Sequence, residues 1–143
     1  MFTTSNEGRL TGGVRIFCMA MDGTTFSRCI DESGDWQPWE WINPPMQLGV
    51  EYRTAERHNG QPVYAKAISF GKAPNTSSKD ISHGIENFSQ LVSYTGMLDG
   101  ANLIQNSMVD NIRINASTIR LTTNTDASEC YVYLTLYYTK TTD

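Results

Sequence analysis

The sequence predicts an all-β protein, an antiparallel β-sandwich, and three observations carry that expectation. The 143 residues include 12 Ser, 16 Thr and 10 Asn, while charged residues make up only 18%. A helical bundle would instead be rich in Ala, Glu, Lys and Leu. Short runs of β-branched and aromatic residues alternate with Gly, Asn, Asp and Pro signals about every 8–12 residues, the pattern of a sandwich. Near the carboxy terminus Val132, Leu134, Leu136 and Tyr138 alternate with Tyr131, Tyr133, Thr135 and Tyr137, the period of a strand with two unlike faces. Three Trp, seven Tyr and five Phe supply a core, which excludes intrinsic disorder.

Taken in order, residues 1–13 are polar and Gly-bearing, an arm or the end of a longer stalk. Strands are expected at Val14–Met21 and Thr24–Ile30, joined at Asp22-Gly23 by a two-residue turn. In that register Cys18 faces Ser27 and Cys29 faces Ile16, so the two thiols lie diagonally at about 7–8 Å, too far for a disulfide. Three free thiols fit synthesis in a reducing cytoplasm. An aromatic segment, Asp35 to Ile42, ends at Asn43-Pro44-Pro45, where adjacent prolines stop regular structure. Residues 14–45 therefore form a hairpin and Trp-rich neck, and 46–143 a head.

In the head, Val50–Arg57 and Val63–Phe70 flank the turn Asn59-Gly60, and a polar loop runs from Lys72 to Asp80. Phe88–Leu98, Met108–Ile114, Thr118–Thr123 and Cys130–Thr139 complete the strands. The parity of apolar residues changes between Ile112/Ile114 and Ile119/Leu121, which puts a turn at Asn115-Ala116-Ser117. In the last strand the aliphatic row belongs in the core. The tyrosine row suits either a ligand groove or contact with another subunit.

Catalytic equipment is sparse. His58 and His83 stand alone, and structural or solvated roles are favoured for both. Cys18, Cys29 and Cys130 lack zinc-ligand spacing, and no metal or phosphate-loop motif occurs. Neither a metal nor a cofactor is expected. Asp31, Glu32, Asp35 and Glu40 surround the tryptophans; a solvated acidic loop is favoured over a paired-carboxylate site. Trp36, Trp39 and Trp41 admit a sugar-stacking reading and a space-filling one. The second is favoured, with Trp39 buried and Trp36, expected on the opposite side from Trp39 and Trp41, kept as the candidate stacking residue. A net charge of −4 without a basic run disfavours nucleic acid. No stretch approaches the ~18 apolar residues of a membrane span, and the amino terminus lacks the pattern of a signal peptide.

The segment Gly23-Thr24-Thr25-Phe26-Ser27-Arg28 followed by Gly34-Asp35-Trp36-Gln37-Pro38-Trp39 resembles the knob-type modules of phage tail fibres and pyocin-like particles. Glu51-Tyr52-Arg53-Thr54, Asn59-Gly60-Gln61-Pro62-Val63-Tyr64-Ala65-Lys66, His83-Gly84-Ile85-Glu86-Asn87 and Tyr137-Tyr138-Thr139-Lys140-Thr141-Thr142-Asp143 resemble a carboxy-terminal tail-fibre head. Together the resemblance spans roughly residues 23–143. It implies a viral protein at the fibre tip of a bacteriophage virion, made in the bacterial host cytoplasm. It further implies a jelly-roll-like head, a homotrimer, and attachment to a host surface glycan or other receptor without enzymatic activity, alongside other tail-fibre and baseplate proteins. A depolymerase or its sugar-binding appendage is one alternative, and a structural fibre-tip trimerisation domain is another.

Receptor contacts are expected on polar connections between strands, at Ala73–Asp80, Asp99–Asn106 and Asn124–Ser128. The candidate residues are Asp99, Asn102, Gln105, Asn106, Asn124 and Asp126, and the candidate trimer contacts are Tyr131, Tyr133 and Tyr137.

Overall fold

A computed structural model describes residues 14–143, so the amino-terminal arm expected at 1–13 lies outside the described residues. Eleven strands follow in order: β1 (Arg15–Met19), β2 (Thr25–Cys29), β3 (Glu40–Trp41), β4 (Glu51–His58), β5 (Gln61–Lys72), β6 (Ser78–Ser82), β7 (Phe88–Leu98), β8 (Ala101–Asn102), β9 (Val109–Ile114), β10 (Thr118–Thr123) and β11 (Tyr131–Lys140). No helix occurs among the described residues. The strands form an all-β fold of two packed sheets. The large sheet has the order β1-β2-β3-β4-β5-β11-β7-β8 and the small one β6-β10-β9.

Packing follows the alternation of the last strand. Val132, Leu134, Leu136 and Tyr138 point at the small sheet, where Ile119 and Leu121 meet them, and all six are buried. Each such aliphatic side chain contributes roughly 1.5–3 kcal/mol on burial, so this row is what holds the sheets together. Strand β11 runs between β5 and β7, antiparallel to both. The neck joins the same sheet through one parallel pair, Trp41 with Thr54, and the Thr54 hydroxyl donates to the Val63 carbonyl at 2.7 Å.

Two turns show how sequence sets register. At Asn59-Gly60 both residues have positive φ, 51° and 82°, and His58 pairs with Gln61, a two-residue turn as expected. The first hairpin differs. Ala20 N–H donates to Thr24 O at 2.8 Å and Gly23 N–H to Ala20 O at 3.0 Å, so the loop is three residues long. Asp22 accepts from the Thr24 amide (2.9 Å) and hydroxyl (2.7 Å), and Gly23 takes φ 84°. This is the turn with a following left-handed residue that accompanies three-residue hairpins.

The register expected for this hairpin is thereby overturned. Cys18 pairs with Phe26 and Cys29 with Arg15, which places the two cysteines on opposite faces. All three cysteines are free. Three strands were also not expected. β3 and β8 are two residues each, and β6 begins within the stretch read as a polar loop and runs two residues past it. Its polar Ser78, Asp80 and Ser82 face outward, which hides a strand whose inward members are only Lys79 and Ile81.

Candidate functional site

The three polar connections meet at one end of the molecule. Thr76 N–H donates to Thr125 O (3.2 Å) and Ala127 N–H to Pro74 O (3.4 Å), which joins the first connection to the third. Asn124 N–H donates to Met108 O at 3.1 Å, and the Asn124 side-chain amide donates to Ser107 O at 2.9 Å. The third connection is thus fixed beside the end of the second. Asp99 N–H donates to Tyr131 O at 2.9 Å. The neck attaches near Val63, at the other end of β5 from Lys72. At about 3.3 Å per residue that is roughly 30 Å of strand.

Most candidate side chains at this end shape their own loops. Asn102 Oδ1 accepts from the Ile104 amide and Asn106 Oδ1 from the Met108 amide, each at 3.0 Å. Asp126 accepts from the Ser128 amide (3.0 Å) and hydroxyl (2.7 Å). These bonds, the hydroxyl one foremost, hold its carboxyl below the usual carboxylate range. All three are Asx turns, in which a side-chain oxygen substitutes for a backbone acceptor. Asp99, with φ 48°, and Gly100, with φ 81°, form the tight turn from β7 to β8. Gln105 is exposed at the tip of the same connection.

Beneath that connection Leu103 is fully buried, and its amide donates to Gly96 O at 2.9 Å. A Cβ on Gly96 would come within 2.7 Å of Leu103. Only glycine lets the loop fold back so closely on β7.

A groove of about 250 Å³ lies on the face of the large sheet turned away from the small one, beside this loop. Leu48, Met97 and Ile104 form apolar walls, and Ala67, Thr95 and Thr135 line its base. Asn102 and Tyr133 complete it. No lining residue carries a formal charge. The tyrosine row is divided among three settings. Tyr131, 50% exposed, lies opposite Lys72, whose ammonium is 5.9 Å from its ring. Tyr133, 48% exposed, sits between Ser69 and Met97 in the groove. Tyr137 is half-buried between Ala65 and Ser93.

In the neck the Arg28 guanidinium lies over two indoles, 4.2 Å from Trp36 and 4.7 Å from Trp39. The ladder continues by ring contacts from Trp39 to Phe26 (5.2 Å), Phe26 to Trp41 (5.4 Å) and Trp41 to Tyr52 (5.5 Å). The W-x-x-W spacing therefore brings two indoles to one arginine, a cation–π arrangement with each. Trp36 shares one side with Trp39 and Trp41, contrary to the expectation for a continuous strand, because only Glu40 and Trp41 are extended in β3. Nor is Trp39 fully buried: it is 39% exposed and Trp36 43%. Trp36 keeps an open surface, but it stands in the neck, away from the loop end.

Three of the groups that could carry acid–base chemistry are otherwise engaged. His83 is buried with Nδ1 accepting from the Ile85 amide and Nε2 facing Asn115 O, both at 3.1 Å. Burial pushes the imidazole below its ordinary range. Asp31 accepts from the Ser33 and Asp35 amides and from Gln37 Nε2. Glu40 is buried, bonded to Arg57 and, at 3.3 Å, to Arg53, with Arg15 at 3.6 Å. Among the described residues no group of His, Cys, Asp and Glu is placed to hold a metal ion.

Compared with family models, curated proteins and solved structures, the chain matches none.

Sequence reasoning kept a ligand groove along the tyrosine row as one of two alternatives but did not find the rest of its lining. A signal was present in the small residue Ala67, which lies in the groove and pairs with Thr135 of that row. Only their pairing across β11 makes that legible.

Proposed function

We propose that the chain is the receptor-binding head of a tail fibre from a bacteriophage or a phage-derived particle, without enzymatic activity of its own. In this reading the two sheets are a jelly-roll-like β-sandwich, and the neck is its knob-like attachment to the fibre. The observation that carries the reading is the convergence of three polar connections at the end remote from the neck, with an uncharged groove on the sheet face beside the second of them. Recognition residues on loops held by a rigid sheet suit a binding head, and several copies on one particle raise weak single-site affinity. Assembly as a homotrimer belongs to the same reading. Its support is the apolar surface of β1, where Phe17, Met19 and the following Met21 are exposed at the end of the large sheet.

Fluorescently labelled protein incubated with a panel of bacterial strains tests this function. Adsorption to some strains, lost when surface glycans or proteins are stripped, is the expected result. Equal adsorption to every strain, or to none, would overturn it. Light scattering should give three times the chain mass of 16.0 kDa, and a single-chain mass would remove the trimer.

A further inference from the structure

We infer that the groove beside Tyr133 binds an uncharged pyranose ring. This deepens the receptor-binding reading and rests on it, since it names the chemistry of the ligand and moves the contact from the loop tips to the sheet face.

Charge narrows the occupant first. None of the side chains lining the groove carries a formal charge. Lys72, opposite Tyr131 on this face, is already held by Glu129 at 2.8 Å. An anionic sugar would leave its carboxylate without a partner, and a cationic ligand would find no carboxylate. Burying an unpaired charge costs far more than such a contact returns.

The polar groups present then choose among neutral ligands. Thr95 and Thr135 are paired directly across β7 and β11, so their hydroxyls stand side by side at the base. Asn102 spends its Oδ1 on the Ile104 amide, which leaves its NH₂ as a donor toward the same space. Beside these lie Leu48, Met97 and Ile104, together with the half-exposed Tyr133 ring; Met97 pairs directly with Asn102. A lipid chain has no use for the hydroxyls and amide. A pyranose has both an apolar C–H face and a rim of hydroxyls, and it matches both halves of the lining. The volume of about 250 Å³ suits one small ring better than a long polymer segment.

The site is also preformed. Tyr133 and Thr135 lie on β11 and Thr95 on β7, strands paired on both sides for Tyr133 and Thr135. The Asn102 side chain is fixed by its turn. Little ordering remains to be done on binding, which favours even a weak ligand.

Saturation-transfer NMR on the full chain gives the test. The neutral probes are methyl α-glucopyranoside, methyl β-galactopyranoside and methyl N-acetyl-β-glucosaminide, with a methyl glucuronide as the charged control. At least one neutral glycoside should receive saturation on its ring protons, more strongly than the glucuronide. Tyr133→Ala should weaken its binding about tenfold through loss of the aromatic contact. Thr135→Val should weaken it with an unchanged melting temperature, while Arg120→Ala on the opposite face of the molecule should change nothing. Failure of all neutral probes, stronger binding of the glucuronide, or unaltered binding by Tyr133→Ala and Thr135→Val each overturns the proposal. So does a Tyr133→Ala protein that lowers the mass in light scattering while no glycoside binds, which would make this face a contact between copies. Adsorption to cells without glycoside binding defeats the groove alone. Glycoside binding by a protein that adsorbs to no cell defeats the receptor-binding reading alone.

Discussion

The Asx turns of the loop end and the charge cluster where the neck joins the head use polar side chains in opposite ways. At the loop end Asn102, Asn106 and Asp126 each accept a hydrogen bond from an amide two residues further along. Where the neck joins the head, the partners of the charged side chains are distant in sequence. Arg53 reaches Glu40 and Asp143, Arg57 reaches Glu40, and Tyr138 and Lys140 both reach Glu51. The first set shapes each connection from within and asks nothing of the rest of the chain. The second ties the neck, β4 and the last strand into one unit. Loop tips held locally can change their sequence without disturbing the fold, whereas a change among the neck charges is felt across the sheet.

The sharpest test of the loop end lies beneath its surface. Leu103→Ala should cost about 3–4 kcal/mol, as for a fully buried leucine, and calorimetry would show it. A loss under about 1 kcal/mol would mean that the Asx turns hold the connection without the plug. At the neck end, Glu40→Ala leaves Arg53 and Arg57 facing each other without their carboxylate. A loss of about 3 kcal/mol is expected, at the low end for a broken buried pair because the arginines are partly exposed. Denaturant titration checks it, and no change in midpoint would show that the ion cluster does not brace the neck.

Trp39→Ala should cost less, about 1–2 kcal/mol. The indole is partly exposed, so the loss is mainly its contacts with Arg28 and Phe26. The 3–5 kcal/mol of a buried tryptophan would mean that the neck closes more tightly in solution. His83 offers a pH test. Its folded-state pKa lies below the ordinary value of 6.5, so the unfolded chain binds the proton first. Its contribution is complete above about pH 6.5 and is lost as pH falls through the lowered folded value. The melting temperature should therefore fall on going from pH 7 to pH 5, and an imidazole that titrates at or above 6.5 by NMR would contradict this. The smallest effect belongs to Asp126→Asn. It keeps the acceptor oxygen for Ser128, and the melting temperature and its salt dependence should both stay unchanged.

Sequence distance also decided what could be read in advance. The turn at Asn59-Gly60, the hairpin around Asn115 and the inward row Val132-Leu134-Leu136 all rest on neighbouring residues, and all were legible. The first hairpin went wrong by one residue because the Asp22 side chain caps Thr24, a choice that Asp-Gly alone does not reveal. At the candidate site the polar connections were visible, though not the short strand β8 and the start of β6 within them. The tyrosine row admitted a ligand groove, but its other lining was hidden, because Ala67, Thr95 and Thr135 come from three strands and acquire meaning only when paired. The same holds for Glu40, whose arginines lie 13 to 25 positions away and looked like ordinary solvated charges.

The aromatic ladder of the neck has a spectroscopic consequence. All three tryptophans fall between residues 36 and 41, and all seven tyrosines at residue 52 or beyond. Indole emission therefore reports on the neck alone, and phenol signals report on β4, β5, β7 and β11 of the head. Trp41 and Tyr52 stand 5.5 Å apart across the joint, close enough for excitation to pass from phenol to indole. Selective excitation of each chromophore during thermal unfolding would show whether neck and head melt together. Loss of the transfer before either native signal decays would mark the joint itself as the first place to open.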